Sequence, residues 1–104
     1  MDLQRDDGLL EKHAELCGMF SNEKRLRILK TLREDEMCVS DICEETGYPQ
    51  PTVSSHLNKL KNHGIVTSEK DGLKTYYRVR DDRIFEAIDT INEVLIDHLE
   101  NQVA

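Results

Sequence analysis

Three thiols and one polar helical face are the groups in this 104-residue chain whose types and spacing could do chemistry. The thiols are Cys17, Cys38 and Cys43, an odd number in a chain whose Met1-Asp2-Leu3-Gln4-Arg5 start is no signal peptide. That argues against a disulfide scaffold and leaves metal binding, redox chemistry or simple burial. On a regular helix, positions five apart would place the Cys38 and Cys43 Cα atoms roughly 8–9 Å apart and about 140° around the axis. Disulfides stop near ~7 Å. If Ser40 is a helix N-cap, however, Cys38 precedes the helix and can fold back toward Cys43 in the first turn. There the helix dipole favours a thiolate, opposed by Asp41, Glu44 and Glu45. Three readings stand at this point: a soft-metal or metalloid site, a dithiol redox switch, and inert half-buried cysteines. Cys17 follows Leu16 in an amphipathic stretch and reads as a core residue.

The polar face lies between residues 50 and 63. Val53, Leu57 and Leu60 recur at helical spacing, and the opposite side carries Ser55, Asn58, Lys59 and Asn62, with Thr52 and His56 beside them. A short, polar, weakly basic face of this kind suits a helix laid in a DNA major groove. No nucleophile–base pair, glycine-rich phosphate loop or multi-carboxylate constellation accompanies it, so an enzyme is not expected.

The segments around this face define its scaffold. A short helix opens at Ser40 and closes at Gly47, and Tyr48-Pro49-Gln50-Pro51 restarts the chain. The expected helix-turn-helix spans 40–63. Upstream, residues 1–8 are polar and expected to fray. Leu9, His13, Leu16 and Phe20 form a stripe over 9–20, with Leu10 and Cys17 beside it, and Ser21 is the expected cap of a helix carrying Leu26, Ile28, Leu29 and Leu32. Downstream, 65–80 reads as a β-hairpin turning at Asp71-Gly72, with a basic tip and edge. The last helix, 82–102, carries Ile84, Ile88, Ile91, Leu95 and Leu99 in one seam, broadened by Phe85 and Val94.

Together these give one domain over 9–102, mainly α with a small β-hairpin wing (α+β), about five helices, with 9–20 and 82–102 as dimerisation helices. No apolar run approaches bilayer length, which points to a cytoplasmic protein. The net charge of −7 is segregated. Residues 1–47 hold seven basic and twelve acidic side chains, 48–80 six and two, and 81–104 one and seven. The excess of positive charge falls on the polar helix and the wing, where it can dock on phosphates.

Arg25-Leu26-Arg27-Ile28-Leu29, the Met37–Cys43 run, Thr52-Val53-Ser54-Ser55-His56-Leu57 and Leu60…Gly64-Ile65-Val66 resemble the ArsR/SmtB family of winged-helix repressors. The resemblance covers roughly residues 9–101. It implies a homodimer on double-stranded DNA that binds an inverted-repeat operator and represses until an inducer loosens it. Carried over by position, the DNA-facing residues are Gln50, Thr52, Ser54, Ser55, His56 and Lys59, with Lys70, Lys74 and Arg78 from the wing. Periodicity alone favours Ser55 and Lys59 and is less favourable to Ser54, and His56 could equally serve as a structural histidine.

Arsenic-sensing members carry Cys-x-Cys-x-x-Cys in the first motif helix, whereas here Ser40 stands in the middle, between Cys38 and Cys43. Two thiolates leave a site for a thiophilic ion such as As(III) incomplete. The family's zinc site on the last helix needs an Asp-x-His where this chain has Asp81-Asp82-Arg83, and its second half finds Asn101 three residues after His98, so that site is expected to be absent. The alternatives are a dithiol redox-sensing repressor, a winged-helix regulator with no metal or thiol sensing, and a protein-interaction module.

Overall fold

The computed structural model describes residues 7–103. In chain order they form α1 (Asp7–Gly18), α2 (Glu23–Leu32), β1 (Met37–Cys38), α3 (Val39–Thr46), α4 (Gln50–Asn62), β2 (Val66–Asp71), β3 (Lys74–Val79) and α5 (Arg83–Val103). The expected fraying of 1–8 concerns residues that lie almost wholly outside this range.

The core is one cluster in which α2, α3 and α4 pack together under the sheet. Ile28, Ile42, Val53, Leu57, Leu60 and Ile65 are fully buried, with Leu29, Leu32, Val66, Val79 and Phe85 around them. Each such side chain contributes about 1.5–3 kcal/mol relative to exposure, so this cluster is what fixes the angle between α3 and α4.

Three local departures from the sequence reading follow from the hydrogen bonds the backbone makes. First, Met37 and Cys38 form a strand that pairs antiparallel with Tyr77 and Tyr76 of β3, giving a three-stranded sheet ordered β1-β3-β2. This holds Cys38 extended (φ −83°, ψ 169°), so α3 starts immediately after it and Cys38, not Ser40, occupies the N-cap position. Second, α2 is capped by Asn22 in place of Ser21. The Asn22 Oδ1 accepts the Arg25 N–H at 3.1 Å, while the Ser21 hydroxyl turns back to donate to the Gly18 carbonyl at 2.6 Å. Third, the wing register pairs Asp71 with Lys74, so the two-residue turn is Gly72-Leu73, one step later than expected. Gly72 has φ +65° and, among the described residues, no non-glycine residue has positive φ, the pattern of a II′ turn, which needs glycine at its first central position.

The terminal helices stand largely off the core. α5 is anchored by buried Phe85 and half-buried Ile84 and Ile88. Beyond them Ile91, Val94, Leu95, Ile96 and Leu99 are 68%, 65%, 50%, 51% and 49% exposed. α1 leaves Leu9 and Leu10 exposed as well. Cys17 is exposed and not a core residue; among the described residues, Leu16 and the Met19-Phe20 turn seat this part of the chain against the core.

Candidate nucleic-acid interface

The α3–α4 turn aims the polar face of α4. Gly47, at φ +76°, closes α3 by donating its N–H to the Cys43 carbonyl at 2.8 Å, a left-handed geometry that an L side chain would strain. Thr46 donates its hydroxyl to the Ile42 carbonyl at 2.7 Å and accepts the Tyr48 N–H at 3.2 Å. Pro49 then takes the N-cap position with extended backbone, and Pro51 sits in the first turn, where its missing N–H costs no helical bond.

With Val53, Leu57 and Leu60 buried beneath it, α4 turns Gln50, Ser55, Asn58, Lys59 and Asn62 to solvent, while Thr52, Ser54 and His56 are half-buried. No acidic residue occurs in α4, and its last turn carries Lys59 and Lys61. The wing is tied to this helix by Lys61, whose Nζ donates to the Ser68 hydroxyl at 2.7 Å.

Lys70, Lys74 and Arg78 are all exposed on the wing but do not share a face. Directly paired residues of antiparallel strands point the same way, and neighbours along a strand point opposite ways. Lys70, paired with Thr75, therefore lies on the side of Ser68, Tyr77 and the buried Val66–Val79 pair. Lys74 and Arg78 lie on the other side with Tyr76 and Thr67. Leu73 caps the tip, fully exposed.

His56 is where sequence reasoning left the role open, and the structure gives it a partner 31 residues away. Its Nδ1 lies 3.5 Å from Nη1 of Arg25 on α2. The same guanidinium donates from Nε to the Met19 carbonyl at 2.9 Å and from Nη2 to the Gly18 carbonyl at 3.5 Å, at the end of α1. Partial burial, reinforced by the positive charges of Arg25, Lys59 and Lys24, holds the His56 pKa below the ordinary histidine value of 6.5. Lys24 reaches the edge of the same face, its Nζ lying 5.5 Å from the centre of the Tyr48 ring. The periodicity of α4 carries no signal for Lys24 or Arg25, because both enter from another helix.

The thiols take different environments. Cys38 is buried, its Sγ donating to Asp41 Oδ2 at 3.2 Å and lying 3.1 Å from the Ser40 hydroxyl. Cys43 is half-buried and, with α3 starting at Val39, falls in the second turn, beyond the strongest part of the helix dipole. Cys38 still precedes the helix as expected, but Cys43 is not in the first turn that a cap at Ser40 would have given it. Among the described residues no three His, Cys, Asp or Glu side chains come together as a metal centre. With no three-ligand centre among the described residues, no step of the mechanism is routed through an ion.

Residues 22–68, from the α2 cap to the middle of the wing, match the model of the bacterial regulatory protein family arsR. An HTH-type transcriptional regulator from Methanocaldococcus jannaschii is 46% identical over 85 residues, covering 81% of this chain and 96% of that protein. The HTH-type transcriptional repressor SmtB of Mycobacterium tuberculosis is 37% identical over 73 residues, 70% of this chain but only 54% of its own length. Among solved structures, a homodimeric winged helix-turn-helix DNA-binding domain from Mycobacterium bovis, described as a possible ArsR-family transcriptional regulator, superposes with a TM-score of 0.82 at 30% identity over 93% of both chains. The acid-free face of α4, the wing tied to it and these likenesses agree that the chain belongs to the ArsR family of winged helix-turn-helix transcriptional regulators and is not an enzyme.

Proposed function

We propose that this protein is a homodimeric repressor that seats two copies of α4 in successive major-groove segments of an inverted-repeat operator. The observation that carries this reading is the acid-free α4, with Gln50, Ser55 and Lys59 exposed on a chain whose net charge is −7. Thr52, Ser54 and His56 border that surface, and Lys70, Lys74 and Arg78 supply wing contacts to backbone or minor groove. The uncovered apolar seam of α5 supports the dimer, since a water-facing row from Ile91 to Leu99 needs a partner surface. No helix among the described residues is long and apolar enough to cross a membrane, in keeping with a regulator working beside the chromosome in the cytoplasm.

Release by a thiophilic metal or metalloid such as As(III) at Cys38 and Cys43, or by oxidation of these thiols, is supported by position. Cys38 is at once the N-cap of α3 and a strand residue paired to Tyr76 of the wing sheet. Any new bond to its sulfur removes the contact with Asp41 and disturbs both elements that flank α4.

The test is to select duplexes from a random-sequence library with the reduced protein and measure their affinity by fluorescence anisotropy against salt. Enrichment of an inverted repeat, bound by a dimer with steep salt dependence, supports the reading. A protein-interaction module would enrich nothing. Repeating the titration with arsenite and with a mild oxidant, on wild type and a Cys38→Ser/Cys43→Ser variant, separates thiol-gated release from a regulator indifferent to both.

A further inference from the structure

His56 is the one residue of the α4 surface whose chemical form is dictated from outside its helix. A guanidinium has five N–H donors and no acceptor. Its contact with the His56 ring at 3.5 Å therefore requires an unprotonated Nδ1 that accepts. In a neutral imidazole the proton must then sit on Nε2. Arg25 cannot swing away to permit another form without giving up its bonds to the Met19 and Gly18 carbonyls, which fix the plane of the guanidinium at the end of α1. The charged groups acting on the ring are Arg25 and Lys24 from α2 and Lys59 from its own helix, all positive, so a second proton is disfavoured too.

The geometry points to Arg25 as a positioning residue that locks His56 in the Nε2–H form, so that the flank of the reading helix offers DNA one neutral hydrogen-bond donor. This rests on the DNA-binding reading above. A donor there takes an acceptor: a phosphate oxygen, or a purine N7 at the major-groove edge. It discriminates against base edges that present only an amino group, which a freely tautomerising histidine would accept as well.

The first experiment needs no DNA. Long-range proton–nitrogen correlation spectra of 15N-labelled protein report the state of each ring nitrogen of His56. At pH 7 the wild type is expected to show unprotonated Nδ1 and protonated Nε2. An Arg25→Met variant, which keeps the aliphatic stem, is expected to show mixed tautomers and a titration nearer the ordinary histidine value. A wild-type ring that is charged or carries its proton on Nδ1 overturns the proposal, and so does an Arg25→Met spectrum identical to the wild type. The wild-type spectrum decides even if the variant fails to fold.

The second experiment uses a selected duplex. His56→Phe, which keeps a ring and loses the donor, is expected to weaken binding about tenfold. Methylphosphonate and 7-deazapurine substitutions, scanned along the duplex, are expected to reveal one position whose penalty in wild type vanishes in His56→Phe. A methylphosphonate position assigns the acceptor to a phosphate, and a 7-deazapurine position assigns it to a base. If neither scan yields such a position while the wild type still binds the duplex, the donor role is lost and the DNA-binding reading survives. If the wild type binds no duplex, the broader reading fails and the ring spectrum remains interpretable by itself.

Discussion

Arg33, the C-cap residue of α2, and Asp89, on the second turn of α5, meet in a two-point ion pair with nitrogen–oxygen distances of 2.7 and 2.6 Å. The Arg33 guanidinium also stacks over the Phe85 ring at 5.1 Å from its centre. The mutual hydrogen bonds raise the Arg33 pKa and lower that of Asp89. Both side chains are solvent-exposed, so the pair adds little to folding stability, but its fork geometry links the end of α2 to α5 and is expected to help orient that helix. Asp89→Arg is expected to leave the urea midpoint of the monomer fold nearly unchanged while weakening dimerisation in sedimentation equilibrium. Adding Arg33→Asp restores the pair with reversed polarity and should recover most of the dimer. A double variant no better than the single one would show that the pair does not orient α5.

The apolar seam that α5 carries past Ile88 has a sharper consequence. Leu95→Glu places a charge in the middle of a row that is half-exposed in the single chain and buried in the proposed dimer. The variant is expected to sediment as a folded monomer. With only one half-site engaged at a time, its operator affinity should fall by about 10²- to 10⁴-fold. Unchanged dimer content would place the interface elsewhere.

The wing lysines are separable because the sheet puts them on different faces. Lys70 shares its face with Ser68, which Lys61 of α4 holds, so Lys70 is on the reading helix's side and Lys74 is not. Lys70→Ala is expected to lower affinity and to flatten the logarithmic salt dependence by about 1.8, one phosphate in each half-site of a dimer. Lys74→Ala should change the slope less. The reverse ranking would mean that the wing meets DNA with its other face.

Acid titration should be felt where the wing runs into α5. Asp81 accepts hydrogen bonds from the Arg83 guanidinium at 2.7 and 3.1 Å and from the Arg83 backbone N–H at 3.0 Å, which hold its carboxyl at about 2, below its ordinary 3.8. A group that binds its proton less readily when folded stabilises the fold above the unfolded value, and that contribution is lost as pH falls from about 4 to about 2. Asp81→Asn should melt earlier than wild type at pH 7, and the gap should narrow steadily as pH falls from about 4 towards 2. A gap independent of pH would assign the effect to helix capping alone.

Much of this architecture was legible along the chain because it is written in short-range periods. Val53, Leu57 and Leu60 set the buried side of α4, and the polar side follows from helical geometry. Gly47, Pro49 and Pro51 mark the break between the motif helices, the alternation after Gly64 marks the wing, and the Ile84–Leu99 seam marks the last helix. Each of these signals lies within a few residues of the structure it specifies, where backbone hydrogen bonding and side-chain direction are local matters.

Tertiary structure decided what depended on a distant neighbour. Cys38 pairs with Tyr76 of the wing, and that pairing moved the start of α3 from the position Ser40 suggested. The choice of Asn22 over Ser21 as a cap, and of Gly72-Leu73 over Asp71-Gly72 as a turn, depended on where the flanking elements finally end. The environment of His56 came from Arg25 on another helix, itself held by the end of α1. A one-dimensional period records which side of an element is apolar. It holds no record of which charged or hydrogen-bonding group another element will bring against it, and at His56 that second fact sets the chemistry.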